Sequence, residues 1–286
     1  MTDVCRLFGF RSIFQSKIHR SLILADNALM EQSENHPDGW GVSYYLDGCP
    51  HVIKSTETAI EDKIFKKVSA VVRSQTVLAH LRKTTIGSNN ILNTHPFQHG
   101  RWSFAHNGNI KNFETHREKL RSLVSPKLVN YILGKTDSEV LFFVFLSALE
   151  SQDGPVSPSV LASRVNKTLQ KVMEIIGPFN KDDSAPPSET FLTFTLTDGD
   201  VMVGFNGGKQ VYFSTHKKSC SEKGGCPHFN FTCENAVSFS PKKETNINHL
   251  VISSEPIESE NVWIKTEPGE LFGVAENMTF FRKKIF

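Results

Sequence analysis

Short stretches in which apolar and polar residues alternate dominate this chain, and helical spacing is rarer. Alternation after Gly39-Trp40-Gly41 predicts a strand over residues 42–46. The same signature predicts strands over residues 76–80, 102–106, 191–196, 201–205, 210–214 and 249–252. Leu22, Ala25, Ala28 and Leu29 recur at helical spacing and predict a helix within residues 19–34. Residues 138–149 are apolar on nearly every face, so that helix should lie between layers, with Thr136 and Glu139 forming a capping box ahead of it. Residues 157–176 predict an amphipathic helix with Ser157 as N-cap, Pro158 at the first helical position and Gly177-Pro178 as its stop. Residues 182–188, with Ala185-Pro186-Pro187, read as an exposed loop that does not compel a domain boundary. Many strands and a few buried helices point to stacked sheets covered by helices.

Composition narrows the function. The chain has 286 residues, 38% hydrophobic and 22% charged, enough to bury a substantial core in one large domain or two small ones. A net charge of +2, with no basic run longer than Arg282-Lys283-Lys284, gives no reason to expect nucleic acid or an anionic membrane as partner. The longest apolar run, residues 140–149, is interrupted by Ser147 and too short for a bilayer, and the first residues lack a signal-like stretch, so a cytoplasmic location is expected. Five cysteines are an odd set, with Cys5 and Cys49 far from Cys220, Cys226 and Cys233, so reduced thiols are expected rather than a disulfide framework.

Candidate chemistry begins with Asn107-Gly108, in Phe104-Ala105-His106-Asn107-Gly108-Asn109. An asparagine amide beside a glycine offers two adjacent N–H donors for an oxyanion, and the same pair also reads as a two-residue hairpin turn. Cys5, opening an apolar segment, is either a small buried residue or a nucleophile served by its own freed α-amine. Arg82 and Thr85, after the strand ending at His80, suit a carboxylate, although a surface arginine after a strand is the reading that the residues by themselves favour. Asp137 in the first turn of the buried helix complements the helix dipole and can also receive an ammonium group. His36 and His95 lie in turn-rich segments and read as loop-ordering residues. The loop with His216, Cys220, Cys226, His228 and Cys233 lacks the paired Cys-x2-Cys spacing specific for zinc, so no metal and no cofactor is expected.

In this order, Cys5-Arg6-Leu7-Phe8-Gly9, His36-x-Asp38-Gly39-Trp40-Gly41, His80-x-Arg82-x-x-Thr85, Asn93-x-His95-Pro96, His106-Asn107-Gly108 and Thr136-Asp137-Ser138-Glu139 resemble the class II glutamine amidotransferase domain. Ser253-Ser254-Glu255-Pro256 resembles a later segment of the stand-alone members, so the likeness covers most of the chain. The resemblance implies an α+β fold of the N-terminal-nucleophile hydrolase type, a four-layer αββα sandwich with two antiparallel sheets between helical layers. It makes Cys5 the thiol nucleophile on the γ-carboxamide of glutamine, releasing ammonia and then glutamate through a γ-glutamyl thioester. It makes Asn107 and Gly108 the oxyanion hole, Arg82 the partner of the substrate α-carboxylate and Asp137 that of its α-ammonium, with Thr85 and His95 lining the pocket. Opposite charges at Arg82 and Asp137 then select a free amino-acid zwitterion.

Two departures qualify the likeness. The family places its cysteine directly after the initiator Met, whereas Met1-Thr2-Asp3-Val4 precede Cys5 here. The expectation is a removed propeptide of residues 1–4, cut autocatalytically by the Cys5 thiol, ahead of a single domain over residues 5–286. No acceptor or synthase segment is recognised after the glutaminase-like part, so ammonia passes to a separate synthase or the enzyme simply hydrolyses a γ-glutamyl amide. Another γ-glutamyl amide or peptide is the alternative substrate, and a non-catalytic binding module with this fold is the rival of another class.

Overall fold

The computed structural model describes residues 5–17, 20–25, 27–84, 88–149, 157–221, 223–236 and 245–286. The chain opens with β1 (Arg6–Lys17), a π-helical turn (Arg20–Leu24) and α1 (Leu29–Gln32). A hairpin of β2 (Trp40–Leu46) and β3 (Cys49–Ser55) follows, then α2 (Lys63–Val71), β4 (Arg73–Leu81), β5 (Phe97–His99) and β6 (Trp102–Asn109). Three helices come next: α3 (Phe113–Arg121), α4 (Asp137–Leu149) and α5 (Pro158–Ile176). The remainder is β7 (Phe191–Thr197), β8 (Met202–Phe205), β9 (Tyr212–Ser214), β10 (Thr245–Asn246), β11 (His249–Ser253), β12 (Ile264–Lys265), β13 (Glu270–Val274) and β14 (Thr279–Lys284).

Two antiparallel sheets result, ordered β12-β9-β11-β1-β4-β2-β3 and β10-β14-β13-β8-β7-β6-β5. Side chains alternate across each strand, so each sheet has two buried faces and three apolar layers form. Phe8, Val77, Ala79 and Leu81 face outward onto Leu22, Leu29, Phe65 and Val68 around α1 and α2. Leu7, Leu78 and Ala105 face inward onto Met202, Phe213 and Phe272 between the sheets. Phe104, Phe194 and Phe205 cover the other outer face and meet α4, with Phe145 and Phe194 ring centroids 4.8 Å apart. Three apolar layers among four structural ones are the αββα sandwich. Burying each of these phenylalanines stabilises the fold by roughly 1.5–3 kcal/mol. The inter-sheet layer also carries polar ties: Ser43 and Ser103 hydroxyls lie 2.8 Å apart, and Thr76 Oγ1 donates to Gly199 O at 2.6 Å.

Helix α4 is buried on nearly all sides between the second sheet and its neighbouring helices, as its uniform apolarity demands. Helix α5 has the expected start, with Ser157 Oγ accepting from Val160 N at 3.4 Å. Two expectations change. The helix expected within residues 19–34 is broken, because Ala28 has extended backbone (φ −58°, ψ 163°). Asn27 lies at the break, and its side chain donates to Pro256 O at 2.7 Å and accepts from Glu258 N at 2.7 Å, tying this turn to a distant loop. The capping box at α4 is only half made. Thr136 Oγ1 accepts from Glu139 N at 3.2 Å, but the Glu139 carboxylate accepts from Leu133 N at 2.9 Å and Gly134 N at 2.6 Å, closing the preceding loop instead.

Candidate active site

Cys5 stands just ahead of β1, which lies between β4 and β11 and so starts in the middle of its sheet. Its Sγ accepts from Lys83 N at 3.2 Å and donates to Lys83 O at 3.3 Å, immediately beyond the end of β4. Burial pushes the Cys5 thiol up from its ordinary range, against the opposing pull of the Lys83 N–H and the charges of Arg82 and Arg6. A neutral thiol is a weak nucleophile, so chemistry at this sulfur needs a base to take its proton.

Arg82 is buried at the mouth of the same strand. Its N–H donates to Gly39 O at 2.8 Å, its carbonyl accepts from Asp38 N at 3.2 Å, and its guanidinium donates to Ser88 O at 3.2 Å. Asp38 Oδ2 accepts from Thr84 N at 2.8 Å, so the His36-Pro37-Asp38-Gly39 segment clamps the loop that carries Arg82. Gly39 is required there: φ is +119°, and a Cβ would lie 2.6 Å from Ser55 O. His36 orders its own turn through Nδ1 and Gln32 O, 2.7 Å apart. Thr85 lies outside the described residues, as does the Val4–Cys5 junction.

Asn107 and Gly108 are not a hairpin turn. Both belong to β6, paired with Thr193 and Leu192 of β7, and neither has the positive φ that a primed turn demands. The ladder continues through Asn109 and Phe191, and the backbone turns only later, near Asn112 with φ 54°. A Cβ on Gly108 would lie 2.1 Å from Phe191 O and 2.4 Å from His106 Nε2, so only glycine fits. Asn107 is buried and faces inward, its Nδ2 3.3 Å from Ser254 Oγ, while its Oδ1 has no partner among the described residues. Ser254 Oγ also accepts from Leu7 N at 3.0 Å, and Ser254 N donates to Leu7 O at 3.0 Å. One serine thus joins β1, the strand that follows Cys5, to the asparagine of the opposite sheet.

Asp137 is fixed at the start of α4. Its Oδ2 accepts from Ile110 N at 2.7 Å, and its Oδ1 accepts from Ser138 N at 2.7 Å and Ser138 Oγ at 3.1 Å. Ser138 Oγ is 2.9 Å from His106 Nδ1, so the helix start is anchored beneath the Asn107-Gly108 strand. The carboxylate therefore has a definite structural role in tying α4 to the end of β6. His95 packs its ring on His80 at 4.2 Å and Phe97 at 4.7 Å, with neither ring nitrogen partnered among the described residues.

His80, His95 and His106 are all buried, and burial pushes each below the ordinary imidazole range, His80 to about 3. A depressed folded-state pKa means the unfolded chain takes up the proton first, so stability present above pH 6.5 is lost as the pH falls toward 3. His80 alone should cost about 2 kcal/mol between pH 7 and pH 5. Urea-unfolding midpoints should drop over that interval; a pH-independent midpoint would show that these rings are not held neutral.

Sequence reasoning missed Ser254 as a site residue, together with the Arg6–Glu255 ion pair beside Cys5. The Ser253-Ser254-Glu255-Pro256 match was the available signal, but nothing in it specified contact with Leu7 or Asn107. A surface cleft of about 630 Å³ lies beyond Asn109, between Asn112 and Pro187, and none of Cys5, Arg82, Asn107 or Asp137 lines it. Among the described residues no three His, Cys, Asp or Glu side chains converge as a metal site. In the Cys/His loop, Cys233 Sγ instead accepts from Asn248 Nδ2 at 3.0 Å, and His228 stacks on Phe14 at 5.6 Å.

A thiol just ahead of β1, an asparagine amide on the opposite sheet and a flanking arginine are groups that acyl transfer can use. The model of the class-II glutamine amidotransferases matches residues 4–280. A probable glutamine amidotransferase of Saccharomyces cerevisiae, DUG3, is 29% identical over 241 residues, 77% of this chain and 64% of the yeast protein, so the chain spans less than two thirds of that relative. The gamma-glutamyl-hercynylcysteine sulfoxide hydrolase of Mycobacterium tuberculosis (strain CDC 1551 / Oshkosh) is 36% identical over 72 residues, 25% of this chain and 31% of the hydrolase. A glutamine aminotransferase class-II domain protein from Silicibacter pomeroyi has the same fold, with TM-score 0.61, 20% identity and 98% of each chain covered. The chain belongs to the class II glutamine amidotransferases.

Proposed function

We propose that the protein hydrolyses the γ-amide of glutamine, with Cys5 as nucleophile. Cys5 Sγ attacks the γ-carbonyl carbon, its proton passes to the Cys5 α-amine, and the carbonyl oxygen takes the negative charge. Asn107 Nδ2 and the Gly108 N–H stabilise that oxygen. Collapse breaks the carbon–nitrogen bond, the proton goes to the departing ammonia, and water then cleaves the γ-glutamyl thioester to glutamate. Arg82 and Asp137 hold the α-carboxylate and α-ammonium, with Thr85 and His95 as pocket walls. The observation that carries this reading is the Leu7–Ser254–Asn107 connection, which brings the amide of one sheet to the start of the other sheet's nucleophile strand.

The α-amine is free only once the Val4–Cys5 bond is cut. Attack of Sγ on the Val4 carbonyl carbon, transfer of the acyl group from nitrogen to sulfur, and hydrolysis of that thioester release the first four residues and leave a domain starting at Cys5. Intact mass of the active preparation tests this step. A fully active enzyme retaining residues 1–4 refutes the terminal-amine mechanism. All five cysteines are unpaired, which supports a reducing, cytoplasmic setting, and a separate synthase would use the ammonia.

A second reading, hydrolysis of another γ-glutamyl compound, is favoured by the partial likeness to the mycobacterial hydrolase. A panel of glutamine, γ-glutamyl amides and γ-glutamyl peptides, with ammonia and free amine measured separately, decides between them. Ammonia from glutamine at the highest kcat/KM supports the first reading, and amine release from another member at higher kcat/KM supports the second. Release from none returns the protein to the class of non-catalytic binding modules.

A further inference from the structure

We propose that Ser254 is a positioning residue whose hydroxyl turns the Asn107 amide so that Nδ2, rather than Oδ1, faces the oxygen of the substrate carbonyl. The inference rests on the reading of Asn107 as oxyanion donor and names what aims it.

A count of protons carries it. Ser254 is buried just beyond β11, and its backbone N–H is fixed on Leu7 O at 3.0 Å. Its Oγ lies 3.0 Å from Leu7 N, which can only donate, and 3.3 Å from the Asn107 side-chain nitrogen. A hydroxyl that accepts from both has a hydrogen of its own with no acceptor among the described residues. Asn107 Oδ1, meanwhile, is a buried acceptor with no donor. One half-turn of the amide removes both deficits, since its oxygen and nitrogen exchange places. Ser254 then accepts from Leu7 and donates to Asn107 Oδ1. Nδ2 takes the position of the buried, unpartnered atom, and with neither hydrogen spent on Ser254 one of them can be donated to an oxyanion. Because Leu7 is two residues after Cys5 in the chain, the serine registers the amide against the nucleophile itself. A hydroxyl at this position accomplishes this; a methyl group does not.

Ser254→Ala, Asn107→Ala and the double variant, assayed on L-glutamine and γ-L-glutamyl-p-nitroanilide, test the proposal. Ser254→Ala should lower kcat roughly tenfold with KM within about twofold, as expected for misaimed transition-state binding. Ser254→Thr, which restores the hydroxyl, should recover most of the loss. The double variant should be no slower than Asn107→Ala alone, because both substitutions remove one function. Losses that multiply in the double variant, a loss carried by KM, or wild-type kcat in Ser254→Ala overturns the positioning role. Asn107→Ala turning over at the wild-type rate overturns the oxyanion reading beneath it, a separate outcome. Neutron diffraction from perdeuterated protein gives a readout independent of turnover: deuterium on Ser254 Oγ should point at Asn107 Oδ1. An Asn107 N–D directed at Ser254 overturns the proposal.

Discussion

Cys5→Ala should abolish turnover of glutamine and of every γ-glutamyl amide while leaving the fold intact, a loss of at least about 10⁴-fold in kcat. The size follows from the chemistry. No other thiol or hydroxyl in the proposed mechanism attacks the carbonyl, and what survives is the contribution of binding and oxyanion stabilisation to attack by water. The fold should survive because the thiol's hydrogen-bond partner is the backbone of Lys83, and alanine fills most of the same volume. Near-UV circular dichroism and the unfolding midpoint serve as controls, and intact mass of the same variant tests processing, since without the thiol residues 1–4 must remain attached. Unchanged turnover in Cys5→Ala would return the protein to the class of binding modules.

Asn107→Ala is expected to lower kcat by about 10² to 10³, equivalent to ~2.7–4 kcal/mol of transition-state stabilisation, with KM nearly unchanged. The split between the two constants matters. A donor that meets the oxygen only when it is charged contributes to kcat, whereas a pocket-wall residue contributes to KM. Steady-state kinetics over a range of glutamine concentrations checks the split, and a rise confined to KM would place Asn107 in the pocket wall.

Much of this was legible in the order of residues. Alternation in 191–196 and the uniform apolarity of 138–149 express periods that neighbouring residues alone define, and both elements form where they were expected. The candidate residues Cys5, Arg82, Asn107 and Asp137 were visible as chemistry types in a family order. Local pattern failed where a distant partner intervened. The helix expected within residues 19–34 is interrupted at Ala28, where the neighbouring Asn27 is tied to Pro256 O and Glu258 N. Asn107-Gly108, the strongest local turn signal, remains extended because the β7 ladder pairs both residues. Glu139 abandons its capping box for two loop amides. Helix α2 was missed although Asp62 caps it and Phe65 and Val68 stand at helical spacing, while α3 buries only Phe113 and Leu120 and gave little signal.

The sequence by itself determined the layered architecture, the family and the side chains available for acyl transfer, because alternation, capping and motif order are properties of adjacent residues. Only the tertiary structure decided that Ser254, 247 residues from Leu7, stands between β1 and the Asn107 amide. Sheet register sets that convergence: a slip of one residue in β6 would turn Asn107 to the helical face and break the connection. No segment of the chain encodes such a register alone, since it is fixed by the simultaneous burial of faces contributed by strands far apart in sequence.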